Sequence, residues 1–189
     1  MEEKIVIAIM GIVLSGKTTL GKELSQRTGI HHIDIDDGPA RCAPSQEPEP
    51  YSSDEKRDRE RRRMAVAYSV LHEAITANVT AGFPIIVSAA YSSRKSQEYL
   101  CRAVEQNGGK LKLIWCTFED TDEEINRRIR ERLANGDPGG CRSVEHYLDD
   151  KSRYEGTDIP HLKVSMMSEN VNGAAKAALA YIQEPREGL

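Results

Sequence analysis

Residues 5–18 read IVIAIMGIVLSGKT. Ile5 to Met10 form a strand-like apolar run, and directly after it the chain fits Gly-x4-Gly-Lys-Thr at every fixed position, from Gly11 to Thr18. That spacing makes a phosphate cradle. Gly11 and Gly16 lack the Cβ that would block a tight loop, so successive backbone N–H groups can turn inward onto a phosphate. A helix that starts near Lys17, with Leu20 and Leu24 on one stripe, aims its positive end at the same oxygens. Lys17 is placed to reach the β- and γ-phosphates of a nucleoside triphosphate, and the Thr18 hydroxyl to ligate Mg²⁺. The nucleotide-binding set is therefore Gly11, Leu14, Ser15, Gly16, Lys17, Thr18 and, in the first helical turn, Thr19.

Strand and helix signals alternate outward from this loop. Thr18 to Arg27 is the first helix, closed by Gly29, and His31 to Ile35 is a short second strand. Gly38 to Ser53 holds Pro39, Pro44, Pro48 and Pro50 and reads as a loop. From Asp54 to Ala81, the residues Met64, Ala67, Leu71, Ala74 and Ile75 recur at helical spacing, and Gly82 ends the run. Pro84 to Ala90 is almost wholly apolar, as suits a strand covered on both faces. Ser93 to Gln106 is a helix, Leu111 to Phe118 a fourth strand, and Thr121 caps a helix with Ile125, Ile129 and Leu133 on one stripe. A Gly/Pro-rich loop from Asn135 to Cys141 leads to a shorter helix, Ser143 to about Tyr154. His161 to Met166 is the fifth strand and Val171 to Ile182 an Ala-rich last helix. Five strands separated by helices require crossovers, hence an α/β fold with a parallel sheet. Ligands collect at the carboxyl ends of such strands, which gathers Gly11 to Thr18, Asp34 to Asp37 and Ser88 to Tyr91 around one crevice.

Length and charge narrow the function. The 189 residues suit one domain, and a formal net charge of -4 gives no global attraction to nucleic acid or anionic lipid. The run Ile5 to Leu14 is too short to span a bilayer and its end belongs to the phosphate loop, so the expected protein is cytoplasmic with no membrane contact. Cys42, Cys101, Cys116 and Cys141 form no Cys-x-x-Cys pair, and no histidine lies at ligand spacing, which argues against a structural metal.

The reaction is read from the acidic end of strand two, Asp34-Ile35-Asp36-Asp37. Carboxylates packed at a strand end repel unless a cation or donor sits among them, and alternation would put Asp34 and Asp36 on one side. A carboxylate here could take the proton of a hydroxyl attacking the γ-phosphate. Asp36 is the first candidate for that base and for a Mg²⁺ ligand beside Thr18, with Asp34 and Asp36 both candidate substrate contacts. Asp37-Gly38-Pro39 is sufficiently explained as turn chemistry.

With these residues in place, the chain resembles the P-loop kinases of small molecules, the group of adenylate, shikimate, gluconate and chloramphenicol kinases, and especially their compact AAA_33-like relatives. The points of likeness are the Gly11 to Thr18 loop, the acidic strand-two end followed by Arg41, the long helix into Ala81-Gly82-Phe83-Pro84, and the arginine-rich helix after strand four. The resemblance implies a three-layer P-loop NTPase fold, a five-stranded sheet of order 2-3-1-4-5 and a small lid. It also implies ATP and Mg²⁺ as cofactors, Asp36 as the group that meets the acceptor hydroxyl, and Arg41 as a grip on substrate. Many relatives end strand three in an aspartate that assists Mg²⁺; here the corresponding stretch offers only Ser88, so Thr18 must be helped by Asp34 or Asp36. In these kinases arginines of the helix after strand four and of the following lid neutralise the transferring phosphoryl group; Arg128 and Arg132, one turn apart on that helix, fit the role best, with Arg142 and Arg153 as second-rank lid candidates. The expected organisation is one domain over residues 1–189, with an acceptor-side segment at 38–81 and a lid at 133–153.

A second basic stretch, Lys56 to Arg63, has six basic residues, and four acids from Asp54 onward interleave with it. Glu55 with Arg59 and Asp58 with Arg62 have helical spacing, which favours a self-paired solvated face and weighs against nucleic acid. The leading expectation is a kinase of a small metabolite or nucleotide. The alternatives are a polynucleotide 5′-hydroxyl kinase, or a nucleotide-binding regulator without productive transfer. A GTPase switch is excluded by the lack of Asn-Lys-x-Asp.

Overall fold

The computed structural model describes residues 4–38, 42, 53–136, 141–167 and 170–184. In chain order the elements are β1 (Ile5–Met10), α1 (Lys17–Thr28), β2 (His32–Asp34), α2 (Ser53–Ala81), β3 (Ile85–Ser88), α3 (Arg94–Glu105), β4 (Lys110–Thr117), α4 (Asp122–Ala134), α5 (Val144–Ser152), β5 (His161–Ser165) and α6 (Val171–Gln183). All strand pairs are parallel and the sheet order is β2-β3-β1-β4-β5, as the resemblance implied.

Strand alternation divides the core into two layers. Val6, Ala8 and Met10 of β1 face one way with Ile85, Val87, Leu111 and Leu113, and they are covered by Leu71, Ile75 and Val79 of α2 and Leu100 and Val104 of α3. Ile7 and Ile9 face the other way with Ile86, Ile114 and Cys116, against Leu20 and Leu24 of α1 and Ala174, Ala175 and Ala178 of α6. The same parity sends His32, Asp34 and Ser88 to the α1 side, because His32 pairs with Ile86 and Asp34 with Ser88. The helix ends follow the sequence signals. Gly29 adopts φ 72° and its N–H donates to the Ser25 carbonyl, while the Thr121 and Ser93 hydroxyls accept from Glu124 N and Ser96 N. Lys112, buried on the sheet, donates to the Tyr181 and Glu184 carbonyls at 2.8 and 2.7 Å, a cation placed at the negative end of α6.

Two strands are shorter than the residue pattern suggests. β2 stops at Asp34 because the Asp36 N–H donates to Asp34 Oδ1 at 2.9 Å, which folds the chain into an aspartate-headed turn. β3 runs over Ile85–Ser88 rather than Pro84 to Ala90, since Pro84 has no N–H for the ladder and Tyr91 adopts φ 45°. That left-handed tyrosine packs into a ring cluster with Tyr68 at 5.5 Å and His72 at 6.2 Å between centroids.

His72 supplies a test of how tightly α2 closes over the sheet. Its Nε2 has no hydrogen-bond partner among the described residues, and burial holds the imidazole below its usual 6.5. The unfolded chain binds the proton more readily, so the contribution is fully present above about 6.5 and is lost as pH falls through the lowered folded value. Urea unfolding at about pH 7.5 and about pH 5.5 should therefore show the wild type losing more stability on acidification than His72→Leu. Equal losses would show that the ring meets water freely in the fold.

Candidate functional site

The turn after β1 opens at a position that only glycine fits. Gly11 sits at φ 150°, and a Cβ there would stand 2.5 Å from the Cys116 carbonyl oxygen and 2.6 Å from Ser15 Oγ. Leu14 at φ 67° and Gly16 at φ 84° follow in left-handed conformations, the alternation that turns N–H groups into one concavity. Ser15 is fully buried, and its hydroxyl finds no partner among the described residues. Lys17 donates from Nζ to the Ile12 carbonyl at 2.9 Å, folded onto the loop it belongs to. Burial lowers its pKa and the charge of Arg132 adds to the effect, while the Asp34 and Asp36 carboxylates oppose it. An orphaned hydroxyl and a desolvated cation beside inward-turned amides suit an anion that brings its own negative charge.

The Thr18 hydroxyl donates to Asp34 Oδ2 at 2.6 Å. The carboxylate beside Thr18 is therefore Asp34, not Asp36. Ser88 donates to the same oxygen at 2.6 Å, and the Asp36 N–H donates to the other, so both oxygens of a side chain only 5% exposed are satisfied. Asp36 lies beyond the strand end, in the turn, with its side chain exposed. The alternation that would have put both on one side does not reach it. A Mg²⁺ ion fits this donor set, since a threonine hydroxyl that gives its proton to a carboxylate keeps oxygen lone pairs for a cation. No cluster of three or more His, Cys, Asp or Glu that could hold a metal unaided occurs among the described residues, so such an ion would depend on phosphate oxygens as well.

On the α2 face of the sheet, Tyr68 accepts a hydrogen bond from the Tyr91 N–H at 3.0 Å. Burial pushes its phenol up to about 12, and the negative charge of Asp36 acts in the same direction, so Tyr68 stays a neutral phenol near that carboxylate. Sequence reasoning missed Tyr68, for in the helical pattern it reads as one more core residue. Arg41 lies outside the described residues.

Arg128 and Arg132 part company. The Arg128 side chain is only 11% exposed, its guanidinium lying 4.3 Å over the Phe118 ring. It donates to Glu124 Oε1 at 2.6 Å, to the Leu14 carbonyl at 2.9 Å and to the Met166 carbonyl. The hydrogen bonds of Arg127, with Arg128 adding to them, bring the Glu124 carboxyl down to about 2. Around this clamp Leu14, Ile125, Ile129, Cys141 and Tyr147 form a third small core, with Ile12 and Val13 packed against it. Arg132 is half-buried, and its charge is felt at Lys17. Arg142 is exposed, and Arg153 is paired with Asp149 and Asp150 at 2.5 and 3.0 Å.

The basic run at the start of α2 pairs at three-residue spacing: Arg61 with Asp58 at 3.4 Å and Arg63 with Glu60 at 3.5 Å, all of them exposed. Arg61 and Arg63 are thus paired within their own helix. No helix among the described residues is long and apolar enough to cross a membrane.

Comparison with known proteins agrees with this architecture. The family model AAA_33, an AAA domain, matches residues 6–153. A candidate kinase from Chloroflexus aurantiacus superposes with a TM-score of 0.75 at 19% identity, over 97% of this chain and 100% of its own. A gluconokinase from Sinorhizobium meliloti gives 0.63 at 16% identity, over 96% and 95% of the two chains. The APS kinase of Mycobacterium tuberculosis, solved with AMPPNP and APS, gives 0.60 at 17%, over 95% and 97%. No curated protein matches the sequence. At these identities the likeness is one of fold.

The Arg128 contacts predict a stability effect that a solvent-facing catalytic arginine would lack. Arg128→Ala strands the Leu14 and Met166 carbonyls and leaves Glu124 without one of its partners, so unfolding free energy should fall by about 2 to 4 kcal/mol in chemical denaturation. A change within about 0.5 kcal/mol, the range of ordinary surface substitutions, would show that the clamp does not hold the loop.

Proposed function

The chain belongs to the AAA_33 family of AAA domains, and from that premise we propose that it is an ATP-dependent phosphotransferase acting on a hydroxyl or phosphate group of a small metabolite or nucleotide. The observation that carries this reading is the division between two neighbouring carboxylates. Asp34 is buried and bonded to Thr18 and Ser88, whereas Asp36, two residues on, is exposed at the mouth of the same crevice. A cradle for binding alone has no use for the second.

In this reading the loop amides and Lys17 hold the β- and γ-phosphates, and Lys17 leaves the Ile12 carbonyl to do so. Asp36 accepts the proton of the acceptor hydroxyl as its oxygen attacks the γ-phosphorus; the new P–O bond forms, the bond to the bridging oxygen breaks, and ADP departs. A Mg²⁺ ion held by Thr18 would supply charge neutralisation on the phosphate oxygens. Arg132 supplies positive charge over the transferring group, with Arg128 a positioning residue that fixes the loop from behind. Residues 38–81 would shape the acceptor side and 133–153 the lid of a single domain. The self-paired α2 start supports a small acceptor over an oligonucleotide, since counterion release needs phosphate-facing cations not already matched by acids.

The test is transfer of labelled phosphate from ATP to small hydroxylated metabolites, nucleotides and 5′-hydroxyl oligonucleotides. Lys17→Ala should abolish transfer with circular dichroism and melting unchanged, because it removes charge stabilisation of the transition state. Asp36→Asn should lower turnover by about 100- to 10,000-fold while nucleotide affinity holds. Collapse of ATP affinity in Asp36→Asn with turnover retained would make Asp36 a metal support. Exclusive labelling of the oligonucleotide would replace the small acceptor with a polynucleotide, and nucleotide binding with no transfer to any acceptor would leave a regulator.

A further inference from the structure

β3 ends in Ser88 where many kinases of this shape carry an aspartate. The side chains around Ser88 form a hydrogen-bonded chain from His32 to Asp34. Ser88 has one hydroxyl proton and gives it to Asp34 Oδ2 at 2.6 Å. The 2.9 Å contact between Ser88 Oγ and His32 Nε2 must therefore be an N–H donation from the imidazole to the serine oxygen, which fixes the proton on Nε2. His32, Ser88 and Asp34 all lie on the α1 face of the sheet by strand parity. On that face α1 carries Gly21, where a Cβ would stand 2.3 Å from His32 Nε2 and 2.5 Å from Cε1. A glycine inside a helix weakens it by about 1 kcal/mol relative to alanine, so here it is retained against propensity and leaves a notch for the ring.

We infer that Gly21, His32 and Ser88 are positioning residues that hold the Asp34 carboxylate on the Thr18 hydroxyl, and that through this relay they set the affinity of the site for nucleotide-bound Mg²⁺. With its proton drawn to Asp34, the Thr18 oxygen presents its lone pairs to the cation. Without Ser88, Asp34 Oδ2 keeps only Thr18. Without His32, the serine oxygen loses the donor that orients it. The inference rests on the reading of Gly11 to Thr18 as a Mg²⁺-nucleotide cradle and deepens it. It explains how the site dispenses with a carboxylate on strand three.

The experiment is calorimetric binding of ADP with Mg²⁺ and with the metal chelated, on the full chain, with melting temperature recorded beside it. The wild type should bind ADP more tightly with Mg²⁺. In Ser88→Ala, His32→Leu and Gly21→Ala the Mg²⁺-dependent gain should shrink by about 10-fold or more, the size typical of lost outer contacts at a metal site. His32→Gln, which can place an amide N–H where Nε2 was, should recover most of the gain. Gly21→Ala is the most telling variant: alanine suits the helix and never meets the nucleotide, so only displacement of His32 can transmit the effect. Should Ser88→Ala and Gly21→Ala both keep the gain within about twofold, whatever their melting temperatures, the relay is packing alone and the inference is overturned while the cradle stands. Absence of any Mg²⁺-dependent ADP binding in the wild type would overturn the cradle reading and this inference with it.

Discussion

A carboxylate buried to 5% exposure must be satisfied on both oxygens or the fold loses several kcal/mol, and Asp34 meets that demand with three donors drawn from three segments. Thr18 comes from the first turn of α1, Ser88 from the end of β3, and the Asp36 amide from the turn that Asp34 itself heads. Each bond fixes something else. The Asp36 amide ends β2 and carries the next side chain out of the sheet. The Thr18 bond sets the rotation of α1, hence the place of Lys17 one residue earlier. The Ser88 bond locks β2 to β3 at the last ladder pair, where the crevice opens.

The phosphate loop is fixed from its other side by apolar contact and one guanidinium. Ile12, Val13 and Leu14 occupy three of the four variable positions of the motif, and all three belong to the small core made with α4 and α5. Arg128 joins the Leu14 carbonyl to that of Met166 beneath Phe118, so the loop, α4 and the segment after β5 form one assembly. Helices that share a core with the phosphate loop are mechanically tied to it. Movement of α4 and α5 must be felt at Leu14, whose left-handed backbone already stores strain.

The fold was legible because its signals are local and agree. The apolar run of β1, the Gly-Lys-Thr turn, the capping hydroxyls of Ser93, Thr121 and Ser143, and the stop at Gly29 each act within a few residues. The site was half legible. Residue types at the strand ends gave the loop and the acidic cluster, yet which aspartate meets Thr18 depends on where β2 ends, and a single hydrogen bond decides that. Arg128 and Arg132 are equivalent in sequence, one turn apart on a helix, and only Phe118 with the Leu14 and Met166 carbonyls separates them. Gly21 reads in sequence as a weak point of a helix, since its purpose lies across the sheet in His32.

The electrostatics of the crevice follow from how differently its charges are solvated. Asp34 is surrounded by donors and withheld from solvent, which makes it a fixed negative charge behind Thr18. Asp36 stands in the turn beyond the strand, exposed to water. Lys17 is desolvated by burial and feels both carboxylates, with Arg132 raising the positive potential around it. Lys17 and Arg132 add positive potential at the phosphate loop, and the carboxylates of Asp34 and Asp36 oppose it there. Coulomb energies in such a partly desolvated place are several times those in water, so an anion held at the loop amides would meet Lys17 with far more force than it would in solvent.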